Sequence, residues 1–160
     1  MAEAIPGETF HREGGVVYDA PLDWAVYKRG AQMARVVYEA THANAAETGD
    51  RAGHGRNEAT WVFAEEPGIA EGLCASPLDL FIDARLAPHA AIGLHEHTTT
   101  EEVYYMLEGS LVVTTLAADG RESTSELLVG DAHLIRVGQS HFAVAGPDGA
   151  RFVTVAVRVP

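Results

Sequence analysis

Two histidines one residue apart, His95 and His97, lie in the stretch GLHEHTTTEEVYYMLEG at 93–109. On a β-strand, residues i and i+2 project from the same face. This spacing therefore sends both imidazoles to one side. A short polar turn, Thr98 to Thr100, follows, and Glu101 and Glu102 head the next strand-forming run, EVYYML. A carboxylate there can reach back to the two imidazoles. Two imidazoles and one carboxylate on one side of an ion leave open positions, the arrangement of non-heme Fe(II) sites. Further along, GDAHLIRVGQSH ends on His141, a third strand-borne imidazole. Each feature alone is commonplace, since single histidines and strand-end carboxylates are usually solvated. Their combination at fixed places relative to glycines is what carries weight.

Glu101 and Glu102 are adjacent on a strand, so only one can face the histidines. Glu102 would take Tyr104 and Met106 inward with it; Glu101 would take Val103, Tyr105 and Leu107. Both are acceptable core sets, so hydrophobicity leaves the choice open. Tyr104 can donate a proton to a ligand at the site or simply fill the interior. Arg136 can hold a carboxylate through its planar fork or sit solvated at a strand end. His133 is read as packing or facing solvent. His11, His42, His54 and His89 have no partner at metal spacing and are assigned to the surface, with His54, in GHGR, able to visit the site from its loop. Trp24 and Trp61 read as core or interface anchors.

The elements that must position these residues are short strands separated by turn signals. They are TWVFAE, LDLFIDARL, GLHEHT, EVYYML, SLVVTTLA, STSELLVG, AHLIRVG, HFAVAG and RFVTVAVRV. Turns are expected at Pro88, Glu108-Gly109, Asp119-Gly120, Gly130-Asp131, Gly138 and Pro147-Asp148-Gly149. This pattern predicts an all-β sandwich or barrel. Ahead of it, residues 1–14 read as a loose polar arm. GVVYD and MARVVYEAT read as apolar runs, the second as a strand in preference to a helix across WAVYKRGAQMARVVYEA, which Gly30 interrupts. Residues 43–58 read as a long polar loop.

Composition narrows the function classes. At 160 residues the chain suits one core and buries about 70% of its unfolded surface. It carries 11 Lys+Arg against 23 Asp+Glu, for a net charge of −12. Its one lysine, Lys28, and scattered arginines give no basic patch for nucleic acid or anionic lipid. The single cysteine, Cys74, excludes an internal disulfide framework and a Cys-based zinc cluster. There is no basic start with an apolar run, and no stretch of 18 apolar residues. These readings lead to the expectation of a soluble cytoplasmic protein.

The chain resembles the cupin family. The first cupin motif, G-x5-H-x-H-x(3,4)-E-x6-G, is matched by His95, His97, Glu102 and Gly109. The second, G-x5-P-x-G-x2-H-x3-N, is matched in register by Gly130, Gly138 and His141. The departures are His89 at the opening glycine, Arg136 at the proline and Ala145 at the asparagine, none of which is a metal-ligand position. The resemblance covers residues 78–158. It implies a small jelly-roll β-barrel at 59–160, with 1–58 as an N-terminal extension of arm, strands and polar loop packing on it. It also implies His95, His97, Glu102 and His141 as the ligands of one divalent metal. Within the motif, the six-residue interval to a chain reversal at Gly109 selects Glu102 over Glu101.

Three imidazoles and a carboxylate suit Fe(II), Mn(II), Ni(II), Cu(II), Co(II) and Zn(II), with Fe(II) or Mn(II) favoured by an open octahedral site. The expected function is a metal-dependent enzyme acting on a small acid or other oxygenated metabolite. Oxygenation leads, redox-neutral isomerisation, cyclisation or lyase chemistry follows, and non-catalytic small-molecule binding is the remaining reading. Tyr104 and Arg136 are its candidate catalytic residues. Apolar residues on both sides of SLVVTTLA and RFVTVAVRV predict a homodimer, with the strands before residue 45 as the packing element.

Overall fold

The computed structural model describes residues 3–13, 29–64 and 76–160. GVVYD, Trp24, Lys28 and Cys74, and the side chain of His11, lie outside that set. The described elements are β1 (Ile5–Pro6), α1 (Gly7–Glu13), β2 (Ala34–Tyr38), β3 (Asn57–Ala64), β4 (Leu78–Leu86) and β5 (Ala91–Glu96). They continue with β6 (Thr100–Leu116), β7 (Glu122–Leu127), β8 (Ala132–Ile135) and β9 (Ser140–Arg158). Short 3-10 turns occupy Gly30–Gln32 and Gly49–Ala52. The strands join in the order β1-β2-β3-β4-β9-β6-β7, with β5 on β9 and β8 on β6. All pairings are antiparallel except β1 with β2.

Two long strands set the architecture. β6 and β9 pair with each other from Thr100–Arg158 to Leu116–Ser140, with register shifts at Met106/Glu108 and Gly109/Leu111. The sequence suggested that each was two strands separated by a reversal, at Glu108-Gly109 and at Pro147-Asp148-Gly149. The chain bends at those points and does not reverse. Gly109 (φ 70°) and Gly149 (φ 79°) take left-handed conformations. A Cβ on Gly109 would run into the Gly149 carbonyl oxygen. Glycine at this corner is a close-approach requirement, and the extra residues form a bulge that turns both strands together.

On one side of the corner, β6 pairs with β8 and β9 with β4; on the other, β6 pairs with β7 and β9 with β5. The two resulting layers share one core. Leu86, Tyr104, Met106, Ile135 and Phe152 from the first layer pack with Ile92, Leu111, Val113, Leu127 and Ala143 from the second. Along β6, Glu102, Tyr104 and Met106 are buried while Val103 and Tyr105 are exposed. The period-2 alternation thus runs in the register that Glu102 requires.

A second cluster, Phe10, Val36, Ala59 and Trp61, covers the β2–β3 end of the sheet. Phe10 stacks obliquely on Trp61 at 4.9 Å between ring centroids and is almost fully buried. Residues 5–13 are therefore a strand and helix docked by an aromatic anchor, where polar composition suggested a loose arm. A boundary at 58/59 falls inside β3, so the N-terminal strands and the barrel share one sheet.

The corner generates a prediction. Gly109→Ala must accept both a left-handed φ and a backbone collision. Gly120→Ala has a similar φ of 82° but open space around it. Urea unfolding should show a loss of about 1–2 kcal/mol for Gly120→Ala and a loss larger by at least about 2 kcal/mol for Gly109→Ala. Equal losses would mean that the corner tolerates a side chain.

Candidate metal centre

The pairing of β5 with β9 places His95 directly opposite His141. His97 lies one residue beyond β5, where the backbone clamps it. Its N–H donates to the Gln139 carbonyl (2.9 Å), and its own carbonyl accepts from the Gly138 N–H (2.8 Å). Glu102 enters from β6, adjacent to β9. The four expected side chains converge, and one donor atom from each lies within 4.8 Å of all the others.

The distances define the chemistry. His97 Nε2 and His141 Nε2 are 3.0 Å apart, and His141 Nε2 and His95 Nε2 are 3.1 Å apart. Glu102 Oε2 is 3.5 Å from both His97 Nε2 and His141 Nε2. His95 Nδ1 faces the Gly93 carbonyl at 2.8 Å. A carbonyl only accepts, so Nδ1 carries the proton, and Nε2 of the neutral ring presents a lone pair. His97 Nδ1 pairs with Thr100 Oγ1 at 3.1 Å. Lone pairs gathered this closely repel unless a cation lies between them. Adjacent ligands of an octahedral ion with metal–ligand bonds of about 2.1 Å stand about 3.0 Å apart. Glu102 Oε2 is moreover buried without a hydrogen-bond partner, as is His141 Nδ1. The donor set and its spacing fit one divalent transition metal. The Gly93 and Thr100 contacts supply the outer hydrogen bonds that orient ligating imidazoles.

Burial dominates the electrostatics. It pushes His95 down to about 2, with the neighbouring His42 and His141 opposing protonation in the same direction, and it pushes His141 well below the usual histidine range. Both rings are neutral, the form that ligates. Burial pushes the Glu102 carboxyl up, opposed by His97, His42 and a hydrogen bond from Tyr104. Burial, then the Glu102 charge, raises Tyr104 well above the ordinary phenol value, so its hydroxyl remains protonated and donates to Glu102.

A cavity of about 320 Å³ opens beside Glu102 and Tyr104. Its walls join the two cores: Ile92 and Phe152 come from the barrel, and Ala59 and Trp61 from the N-terminal side. Arg136 is exposed and does not line it; its N–H is bound by the Gln139 side chain at 2.8 Å. Glu101 lies on the opposite face of β6 from Glu102 and outside the donor group. His133 pairs with Thr115 Oγ1 (3.0 Å), His54 is exposed beside Asp50 (2.9 Å), and His89 occupies an exposed left-handed turn position.

His42 is the residue that sequence spacing missed. It is exposed, as expected, but it also lines the cavity and stacks on His95, with centroids 3.8 Å apart and an interplanar angle of 12°. No local motif links the two rings. The polar stretch after residue 40 is sewn onto β5: the Gly93 N–H donates to the Thr41 carbonyl (2.9 Å), Asn44 Nδ2 to the Leu94 carbonyl (2.9 Å), and the His54 N–H to the Ala91 carbonyl (3.0 Å). A Cβ on Gly93 would collide with the His42 carbonyl oxygen, so this approach requires glycine.

Solved structures share this arrangement of strands. A predicted oxalate decarboxylase from Thermotoga maritima matches with a TM-score of 0.58 at 21% identity, covering 84% of this chain and all of that one. Variants of Bacillus subtilis oxalate decarboxylase match with a TM-score of 0.54 at 29% identity over 64% of this chain. The chain has the cupin fold. It spans about a quarter of the Bacillus subtilis protein's length. No protein-family profile matches the sequence, and no curated protein matches it. Among the described residues no helix is long and apolar enough to cross a membrane.

The neutral buried imidazoles predict an acid-labile metal-free cupin chain. Unfolded histidine titrates near 6.5, whereas folded His95 is held at about 2 and His141 is also depressed. Below pH 6.5 the unfolded chain binds protons that the folded chain refuses, so stability falls with pH. Each such histidine contributes a slope of about 1.4 kcal/mol per pH unit. Glu102, raised by burial, acts in the opposite sense and offsets part of this at lower pH. The urea midpoint should be flat above pH 7 and fall steeply between pH 6.5 and 5. A flat midpoint across that range would show that the imidazoles are solvated.

Proposed function

We propose that this chain is a metal-dependent cupin enzyme acting on a small oxygenated metabolite, with His95, His97, Glu102 and His141 holding one divalent metal. One observation carries the reading: four donor side chains, three of them buried, converge beside a mainly apolar cavity of about 320 Å³. The 29%-identical Bacillus subtilis oxalate decarboxylase, described as having Mn(II) centres, supports Mn(II) alongside Fe(II) as the occupant and a small acid as the substrate. Co(II), Ni(II), Cu(II) and Zn(II) are compatible by ligand type. A metal bound here supplies a Lewis acid with exchangeable positions for substrate oxygens. The chain's own groups do the rest. The His95 and His141 imidazoles stay neutral, Glu102 contributes one negative charge, and the barrel wall excludes water. Tyr104 keeps a proton at the cavity surface, within the Glu102 hydrogen bond, and is the candidate acid.

Oxygenation is the reaction class we put first, because three imidazoles and one carboxylate leave room for substrate and a second small ligand. Redox-neutral lyase or isomerase chemistry is the second reading, favoured by the decarboxylase names of the structural neighbours. Oxygen consumption during turnover of a small-acid panel separates the two. Binding without turnover would leave the non-catalytic reading. The cytoplasm is the proposed location.

A second copy of the chain is the proposed partner. Val103, Tyr105, Leu134 and Val157 form an exposed apolar face across β6, β8 and β9, in which Val103 sits opposite both Leu134 and Val155. At a net charge of −12, a mainly apolar face, with Glu101 opposite Val157 at its edge, is where like chains can meet with least repulsion. Light scattering should give a dimer at micromolar concentration, and Val103→Lys with Leu134→Lys should give a monomer with unchanged metal content. A wild-type monomer would contradict this.

The ligand assignment predicts about one metal per chain. Glu102→Gln should lower metal content at least about tenfold and abolish turnover, whereas Glu101→Gln should change both little. Tyr104→Phe should keep the metal and cost about a hundredfold in kcat. Reversal of the two glutamate results would show that β6 is displaced by one residue.

A further inference from the structure

The proposed reading leaves the substrate open, and the walls of the cavity restrict it in three independent ways. The first is size and polarity. Tyr38, Trp61, Leu80, Ile82 and Phe152 are among the large side chains that line a space of about 320 Å³, which a two-carbon acid would leave largely unfilled.

The second restriction is charge. Among the described lining residues there is no lysine or arginine, and Glu102 is the only carboxylate. A divalent ion with one carboxylate carries a net charge of +1. A singly charged chelating head neutralises that centre. A dianion would leave an uncompensated negative charge in an apolar surround.

The third restriction is a buried acceptor. Asn57, 4% exposed, lines the cavity, and its Nδ2 donates to Thr41 Oγ1 at 3.0 Å. Its Oδ1 is buried with no hydrogen-bond partner. Buried acceptors are normally satisfied, so one left over in a cavity wall is a place for a ligand's donor. Asn57 lies on β3 and Glu102 on β6, with β4 and β9 between them. Three strand spacings are about 14 Å measured across the strands alone, and the ladder through Leu86 and Ala150 sets Asn57 level with Gly109, not with Glu102, so their separation along the sheet is larger still.

Resting on the metal assignment above, we propose that this site selects a ring-sized, mainly apolar substrate. It carries a singly charged bidentate oxygen head for the metal and a hydroxyl or N–H donor for Asn57. Oxalate-like dicarboxylates are excluded.

Calorimetric titration of the full Mn(II)-loaded chain tests this with oxalate, acetohydroxamate, benzohydroxamate, and 3- and 4-(hydroxymethyl)benzohydroxamate. Metal per chain is measured before and after each titration. Benzohydroxamate should bind at least about tenfold tighter than acetohydroxamate, which has the same head without the ring, and oxalate should bind most weakly. One hydroxymethyl isomer should gain about tenfold more. That gain should vanish in Asn57→Leu, which is nearly isosteric, and in Asn57→Ser, which retains polarity but not reach. Oxalate binding as tightly as benzohydroxamate would overturn the selection by size and charge. A hydroxymethyl gain that is absent, or that persists in both variants, would overturn the role of Asn57. A wild-type chain that takes up no metal would instead overturn the metal assignment, and the metal count identifies that failure separately.

Discussion

Four donor side chains crowded around one point, three of them buried, are the constraint on which this structure turns. Three imidazole nitrogens and one carboxylate oxygen sit within 4.8 Å of one another, and one of the nitrogens is fixed as a lone pair by the Gly93 carbonyl behind it. Hydrogen bonding satisfies only part of this group, because each neutral ring has one proton to give, and Glu102 Oε2 and His141 Nδ1 are left without a partner. The chain nevertheless holds the donors rigidly. His95 and His141 are register partners, His97 is clamped at both backbone atoms, and Glu102 is fixed by the alternation of a long paired strand. Folding therefore prepares the donors at the separation that an ion demands, and the arrangement gives metal affinity in place of metal-free stability.

The scaffold achieves this through two strands that bend without ending. Because β6 and β9 turn the corner together at Gly109 and Gly149, Glu102 and His141 come from different sides of the corner on neighbouring strands. The N-terminal strands extend the same sheet, and their apolar cluster meets the barrel core at Ile82. The cavity occupies this junction, lined by both cores, with the donors at one wall and Asn57 at another. Metal and cavity thus depend on different parts of the chain: 91–158 for the donors, and β2, β3 and the residues around Thr41 for much of the lining.

Local pattern made much of the donor set legible. The i, i+2 histidines need only strand geometry, and the turn after them returns a carboxylate to the same end. The choice of Glu102 over Glu101 needed the motif interval. The strand alternation buries Glu102 beside the histidines and sets Glu101 on the other face, although the reason given for the choice, a reversal at Gly109, does not hold. A glycine beside a strand-forming run signals a turn and a bulge equally, and only the partner strand decides between them. His42 and Asn57 gave no signal, because hydrogen bonds between distant backbone segments bring them to the site. Phe10 in a polar stretch likewise looked unanchored until Trp61 was placed beside it.

X-ray absorption at the metal edge of the Mn(II)-loaded chain tests the central claim most directly, because imidazole rings give a distinctive outer-shell scattering pattern. The account predicts three imidazole nitrogens and at least one carboxylate oxygen at about 2.0–2.3 Å, and two imidazoles in His141→Ala. A first shell of oxygen alone, or an imidazole signal unchanged by that substitution, would contradict it.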